Sequence, residues 1–399
     1  MILPHNIPYQ SLKQTTTYLS PRRIIFGVGS RTGLPKEIKE LSGSRPLIVT
    51  HRETALSADI ADLIKMLRSV GIDPHVHSES EPEPSLNAAE ELAAHTRSGN
   101  YDLVIGLGGG SVMDLAKIAS LSTTNPGEIK NYLGIERVPK KGVPLICMPT
   151  TSGTGSEVTI FSVLTLDSKK RGVTTHHNLP DVALIDPALT VTMPPSLTAS
   201  TGMDALSQAI EPITSLAATP MTDALALTAI DLVGKWLKVA YSNGSDIEAR
   251  TGMSMAATLS GLAFGNGKLT LGHSLSQTFG PVKKIPHGVS CGIALPYIME
   301  FYLPVIPERL SLIAAAMGVD VSGIPVKEAA AEAIRMVKRL SDDVGIPASL
   351  RQMGFDKAEL PMIAETCVKE QPRPNSPREM TKESVLEVLE RLWEGKILA

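Results

Sequence analysis

Aromatic residues, cysteines and net charge are all scarce in this chain, and each scarcity removes a class of protein. Phe, Trp and Tyr make up only 4% of 399 residues, so a core of ordinary size has to be aliphatic. Net charge is −3 with both signs spread along the chain. Nothing in that balance suggests a nucleic-acid or membrane partner. Cys147, Cys291 and Cys367 stand far apart with no paired spacing. A disulfide framework is thereby excluded, and a reduced, cytoplasmic protein is expected. The first residues lack the basic-then-apolar pattern of an export signal, and no apolar run approaches the ~18 residues of a membrane-spanning helix. Internal repeats and low-complexity tracts are missing as well.

What the chain does have is alternation. Pro46-Leu47-Ile48-Val49-Thr50 reads as a buried strand, and apolar residues from Leu56 to Val70 recur at helical spacing, predicting one helix over 54–70. A short strand at 74–77 leads into Glu81-Pro82-Glu83-Pro84-Ser85, where Ser85 is placed to cap a helix over 86–97. Strand–helix alternation of this length predicts a parallel sheet with crossover helices. Asp102-Leu103-Val104-Ile105 then runs into Gly106-Leu107-Gly108-Gly109-Gly110-Ser111, and helix signals resume over 112–122. A glycine turn between strand and helix lets the backbone approach a ligand, and the N–H groups and dipole of the new helix suit a pyrophosphate. It is not the G-x-G-x-x-G fingerprint, because the third Gly falls at 110 and Ser occupies 111; nor does a Walker Gly-Lys-Ser/Thr follow. A further strand, Pro144 to Met148, ends in Pro149-Thr150-Thr151-Ser152-Gly153-Thr154-Gly155-Ser156-Glu157, a hydroxyl-rich loop at the edge where open α/β sheets bind ligands. Two β-rich pieces follow, around 158–166 and 182–185, with Lys169-Lys170-Arg171 between them as a solvated hairpin tip.

Past Asp186-Pro187 strand signals give out and helical periodicity dominates over 197–396. The expected organisation is an α/β N-terminal domain over 1–188, with a parallel sheet and Rossmann-like nucleotide binding, followed by an all-α C-terminal domain over 189–399. Substrate and metal are then expected between the two. At the N-terminus Thr15-Thr16-Thr17-Tyr18-Leu19 reads as a strand-like arm, and such arms serve to pair subunits. A homodimer is expected.

The chemistry concentrates in the helical half. In Gly202-Met203-Asp204-Ala205-Leu206-Ser207-Gln208-Ala209-Ile210-Glu211, Asp204 and Gln208 are four residues apart and share one helix face. His273 and His287 follow some way downstream. A carboxylate, two imidazoles and an amide oxygen would make an open divalent-metal site for Fe2+ or Zn2+. The alternative is that each is a hydrogen-bonded core residue.

Gly202-Met203-Asp204-Ala205-Leu206, Pro286-His287-Gly288 and Gly108-Gly109-Gly110-Ser111 resemble the iron-containing (group III) alcohol dehydrogenase family, whose architecture is shared with dehydroquinate synthase. The likeness extends from Pro21-Arg22-Arg23-Ile24-Ile25-Phe26-Gly27 to Asn375-Ser376-Pro377-Arg378. It implies hydride transfer between NADP(H) or NAD(H) and a small alcohol or aldehyde, with Asp204, His273 and His287 as metal ligands and catalytic residues. It further implies a cofactor pyrophosphate at Gly108, Gly109, Gly110 and Ser111 with Asp114 in the same motif. Thr150, Thr151 and Thr154 would then lie beside the nicotinamide and its ribose, and a basic residue near Lys170 would reach the cofactor. Two departures stand out: the family usually has a ligand His where this chain has Gln208, and a second active-site His where it has Gln277. Gln cannot titrate, so proton exchange needs another route, for which His176-His177 is a candidate. NAD-preferring members of the family tend to carry Asp where this chain has His51; with no carboxylate to repel a 2′-phosphate and Arg52 beside it, NADPH is expected to be accepted.

Two other readings compete. Gly288-Val289-Ser290-Cys291-Gly292 matches the G-x-S-x-G elbow of α/β-hydrolases. That fold needs a His after the Ser, and none occurs beyond 287. Within the wider superfamily, enzymes similar to maleylacetate reductases work without metal on acidic oxo substrates, and the two Gln substitutions are compatible with that.

Overall fold

The protein is described by a computed structural model covering Tyr9, Lys13, residues 15–167 and residues 169–398. It divides into an α/β unit over Leu19–Thr192 and a helical unit over residues 193–398, with which Tyr9, Lys13 and residues 15–18 group. The α/β unit comprises β1 (Arg23–Phe26), α1 (Leu34–Glu40), β2 (Pro46–Val49), α2 (Arg52–Ala55), α3 (Ala58–Ser69), β3 (His75–His77), α4 (Leu86–Ser98), β4 (Leu103–Gly108) and α5 (Gly110–Ser122). It continues through β5 (Gly134–Ile135), β6 (Leu145–Pro149), β7 (Phe161–Leu166), β8 (Lys169–Thr174) and β9 (Val182–Ile185).

Six strands form one parallel sheet in the order β1-β9-β6-β4-β2-β3. Strands buried on both faces read as unbroken apolar runs, and β2, β4 and β6 are buried at every position. Successive side chains point to opposite faces: Val104 and Cys147 join a core with α4 and α5, while Leu103, Ile105 and Ile146 join another with α1 and α3. The chain passes outward from β2 to β3 in one direction and from β4 to β6 in the other. The carboxyl ends of β2 and β4 therefore flank a switch point, the place where open sheets of this type bind ligands. β5, β8 and β7 form a separate small sheet.

Three local expectations need correction. The helix read over 54–70 is two helices, because the Ser57 side chain turns from the first to accept the Ile60 N–H and cap α3; Leu56 at the break is 81% exposed. Lys169-Lys170-Arg171 is not a hairpin tip but the start of β8, paired antiparallel with β7, and the turn is made at Asp167 with φ of 49°. Residues 15–19 form no strand: β structure requires a ladder, and no strand among the described residues pairs with them. Ser85 caps α4 as expected, accepting the Ala88 N–H.

The helical unit comprises α6 (Pro195–Thr214), α7 (Pro220–Ser242), α8 (Ile247–Gly267), α9 (Leu271–Lys283), α10 (His287–Tyr302), α11 (Pro307–Ala316), α12 (Val326–Asp343), α13 (Leu360–Glu370) and α14 (Lys382–Glu394). α6 is buried on all sides from Met203 to Thr214 and packs against α7, α8 and α10, which places its polar residues Asp204, Gln208 and Glu211 inside the unit. Tyr9 reaches α7, its hydroxyl donating to Asp223 Oδ2 at 2.9 Å. That carboxylate also pairs with Arg309. Among the described residues no helix is long and apolar enough to cross a membrane.

Candidate active site

In the α/β unit three loops meet at the carboxyl edge of the sheet. β4 ends at Gly108, Gly109 is the N-cap of α5, and Gly110 and Ser111 open that helix. A Cβ on Gly110 would stand 2.8 Å from the Thr154 side chain, so only glycine lets the hydroxyl-rich loop close over the turn. Thr151 lies against Gly109, and the Thr150 N–H donates to the Gly108 carbonyl at 3.0 Å. On the other side the Thr50 hydroxyl donates to the Leu107 carbonyl at 2.7 Å, placing His51 and Arg52 beside the glycine turn. The His51 ring is held by its Nδ1, which donates to the Ser80 carbonyl at 2.6 Å. A carbonyl can only accept, so Nδ1 carries the hydrogen and Nε2 remains available. Arg52 is exposed on α2.

Asp114 and Lys170 have roles inside the fold. Asp114 accepts from the Ser156 hydroxyl (2.8 Å) and the Val163 N–H (2.9 Å), tying α5 to β7. Burial pushes its carboxyl above the ordinary range, against the pull of Lys117. Lys170 pairs with Glu83 at 3.1 Å, and the Glu83 N–H donates to Ser111 Oγ at 3.1 Å. The basic residue is thus linked to the glycine turn through Glu83. His176 and His177 lie in this same unit; His176 is 56% exposed and pairs with Glu136 at 2.8 Å, which makes the pair a surface feature.

In the helical unit the expected ligands converge. Asp204 comes from α6, His273 from α9 and His287 from the first position of α10. Asp204 Oδ1 lies 3.5 Å from His273 Nε2 and 3.8 Å from His287 Nε2. That oxygen is buried and makes no hydrogen bond, and the same is true of Gln208 Oε1. Two orphaned buried acceptors one helical turn apart are costly unless a cation or donor meets them. The donor chemistry and the orphaned oxygen therefore fit a divalent metal.

The structure adds residues that the sequence reading passed over. Cys291, one turn after His287 on α10, places Sγ 3.8 Å from His273 Nε2 and 3.7 Å from His287 Nε2. The four donor residues Asp204, His273, His287 and Cys291 have ligand atoms within 4.8 Å of one another. Glu211, also on α6, accepts from His273 Nδ1 at 2.5 Å and from the Thr270 N–H at 2.6 Å, orienting the imidazole so that Nε2 faces Asp204. Gly272 is required here, since a Cβ would sit 2.4 Å from Glu211 Oε1. The spacing from His287 to Cys291, i to i+4, could have flagged the thiol; Cys291 was instead absorbed by the G-x-S-x-G match. No strand precedes that match, which lies inside α10, so it is no nucleophile elbow.

Electrostatically the four donors form one coupled group. Burial opposes charge on each of them, yet His273 and His287 draw Asp204 and Cys291 below their usual ranges. Against the same burial, Cys291 together with Glu211 holds His273 well above its usual range, and Cys291 with Asp204 raises His287. Cys147 and Cys367, by contrast, are pushed by burial up to about 12. Gln277 accepts from Arg373 Nη2 at 3.4 Å, and Arg373 Nε is buried without a partner.

Residues 21–187 match the family model for iron-containing alcohol dehydrogenase, and residues 198–393 match that for the C-terminal part of the Fe-containing alcohol dehydrogenase family. The chain is 37% identical over 390 residues to long-chain-alcohol dehydrogenase 1 of Geobacillus thermodenitrificans (strain NG80-2), covering 95% of this chain and 99% of that one. Among solved structures it superposes on an alcohol dehydrogenase from Oenococcus oeni with a TM-score of 0.92 at 34% identity, over 95% of this chain and 100% of that one. A sulfoacetaldehyde reductase from Bifidobacterium kashiwanohense in complex with NAD+ gives a TM-score of 0.86 at 31% identity, covering 95% and 99% of the two chains.

Proposed function

The chain belongs to the iron-containing alcohol dehydrogenase family, and from that premise we propose that it interconverts a small alcohol and its aldehyde or ketone by metal-assisted hydride transfer with NAD(P)(H). The observation that carries the metal-assisted reading is the buried, unbonded Asp204 Oδ1 facing two imidazoles. When bound, the nicotinamide supplies or takes the hydride, and the divalent metal supplies the Lewis acidity that polarises the carbonyl. Asp204, His273 and His287 would hold the metal, with Gln208 Oε1 as a weaker oxygen donor. Glu211 keeps the His273 Nε2 lone pair turned inward. The turn at Gly108, Gly109, Gly110 and Ser111 would bind the cofactor pyrophosphate, with Thr150, Thr151 and Thr154 toward its nicotinamide end. His51 and Arg52 would meet the adenosine ribose, where they admit a 2′-phosphate. Asp114 and Lys170 support the turn from behind through Ser156 and Glu83. Gln277 can orient a substrate or water but cannot relay a proton.

A second reading has its own support. Arg373 presents a buried, unpartnered Nε next to Gln277, and a planar guanidinium suits a carboxylate or sulfonate on the substrate. The related sulfoacetaldehyde reductase acts on such an anion by its name. One panel tests both readings: metal analysis of the purified protein, then NAD(P)H oxidation with neutral and with acidic short aldehydes, each before and after chelation. Absence of any aldehyde-dependent oxidation overturns the oxidoreductase reading. Full turnover in a metal-free preparation, confined to acidic substrates, replaces the first reading by the second.

A further inference from the structure

We propose that Cys291 is a direct metal ligand, so that the site is an Asp204, His273, His287, Cys291 set with a thiolate in place of a third imidazole. The inference rests on the metal-assisted reading above. In a tetrahedral zinc site, ligand bonds of about 2.0–2.3 Å put neighbouring donor atoms about 3.3–3.6 Å apart. Four of the six donor separations, 3.5 and 3.8 Å from Asp204 Oδ1 to the imidazoles and 3.8 and 3.7 Å from Cys291 Sγ to them, lie within a few tenths of an ångström of those edges, and all six are within 4.8 Å. His287 and Cys291 are i and i+4 on α10, so one helix face delivers both.

The thiol has no competing role. It is 1% exposed, and among the described residues its one other polar partner is the Ser276 hydroxyl at 3.3 Å, a weak interaction for sulfur. The Ser276 hydroxyl donates in turn to the His273 carbonyl at 3.2 Å, so Ser276 is anchored independently of the thiol. Gln208 Oε1 is the rival fourth donor, but a neutral amide oxygen suits hard cations, whereas a thiolate selects zinc or another soft divalent metal over magnesium or manganese. Both Asp204 and Cys291 would then bear negative charge against one divalent ion. This chain is accordingly biased toward zinc where a three-histidine set accepts iron readily.

The test uses full-length protein loaded with zinc and, separately, with cobalt(II). Zinc X-ray absorption of the unaltered protein is expected to show one sulfur neighbour at about 2.3 Å, and the cobalt form a thiolate charge-transfer band in the near ultraviolet. Cys291→Ser should lose both signals while still binding cobalt(II), with zinc affinity lowered about tenfold or more, the scale that even outer-shell losses reach. A shell of nitrogen and oxygen alone in the unaltered protein overturns the proposal and leaves metal-assisted catalysis standing. So does a sulfur neighbour that survives Cys291→Ser. If the unaltered protein holds neither ion stoichiometrically, this proposal and the metal-assisted reading both fall.

Discussion

Glu211→Gln is the substitution that isolates the orienting shell from the ligands. Glu211 is 1% exposed and accepts from four donors: the His273 ring, the His273 N–H, the Thr270 N–H and the Thr270 hydroxyl. Glutamine has the same shape but one accepting oxygen in place of two. If that oxygen stays on the Thr270 N–H, the amide NH2 faces His273 Nδ1 and favours the tautomer with its hydrogen on Nε2, the atom that points at Asp204. If the amide flips, the Thr270 N–H is left buried and unpaired, at a cost of about 1–3 kcal/mol of stability. In the first orientation metal affinity should fall about 10–100-fold, or about 1.4–2.8 kcal/mol. Competition against a chelator of known affinity measures the first effect, and urea unfolding of the metal-free protein the second. Both quantities unchanged within about twofold would refute the argument that Glu211 positions His273.

Three further outcomes follow from the same geometry. Gln208→His should raise metal retained through dialysis without loss of fold, because it places an imidazole one turn from Asp204; dialysis followed by metal analysis, with circular dichroism alongside, checks it. NADPH should be accepted as a substrate, and His51→Asp should shift the kcat/KM ratio toward NADH, since a carboxylate next to Arg52 repels the 2′-phosphate and takes up the ribose hydroxyl. Gly110→Ala should weaken cofactor binding, measured by fluorescence titration, because the added methyl meets Thr154 at 2.8 Å and pushes the two cofactor loops apart.

Much of this was legible before any coordinate. The parallel sheet with crossover helices follows from short apolar runs alternating with stretches of period-3.6 spacing, and the glycine turn from its place between a strand and a helix, because these are local backbone rules. Asp204, His273 and His287 were legible as donor types. Tertiary structure alone decided which donors meet. Cys291 looks like any buried thiol in a sequence, and the fold makes it a neighbour of two imidazoles by packing α10 against α6 and α9. Glu211 is one of many glutamates until α9 brings His273 to it. The break at Ser57 and the strand at Lys169 went the same way: a side-chain cap and a ladder partner outweighed the local pattern. Composition and periodicity are summed along the chain, whereas ligation depends on distances of a few ångströms between residues some seventy positions apart, and only packing sets those.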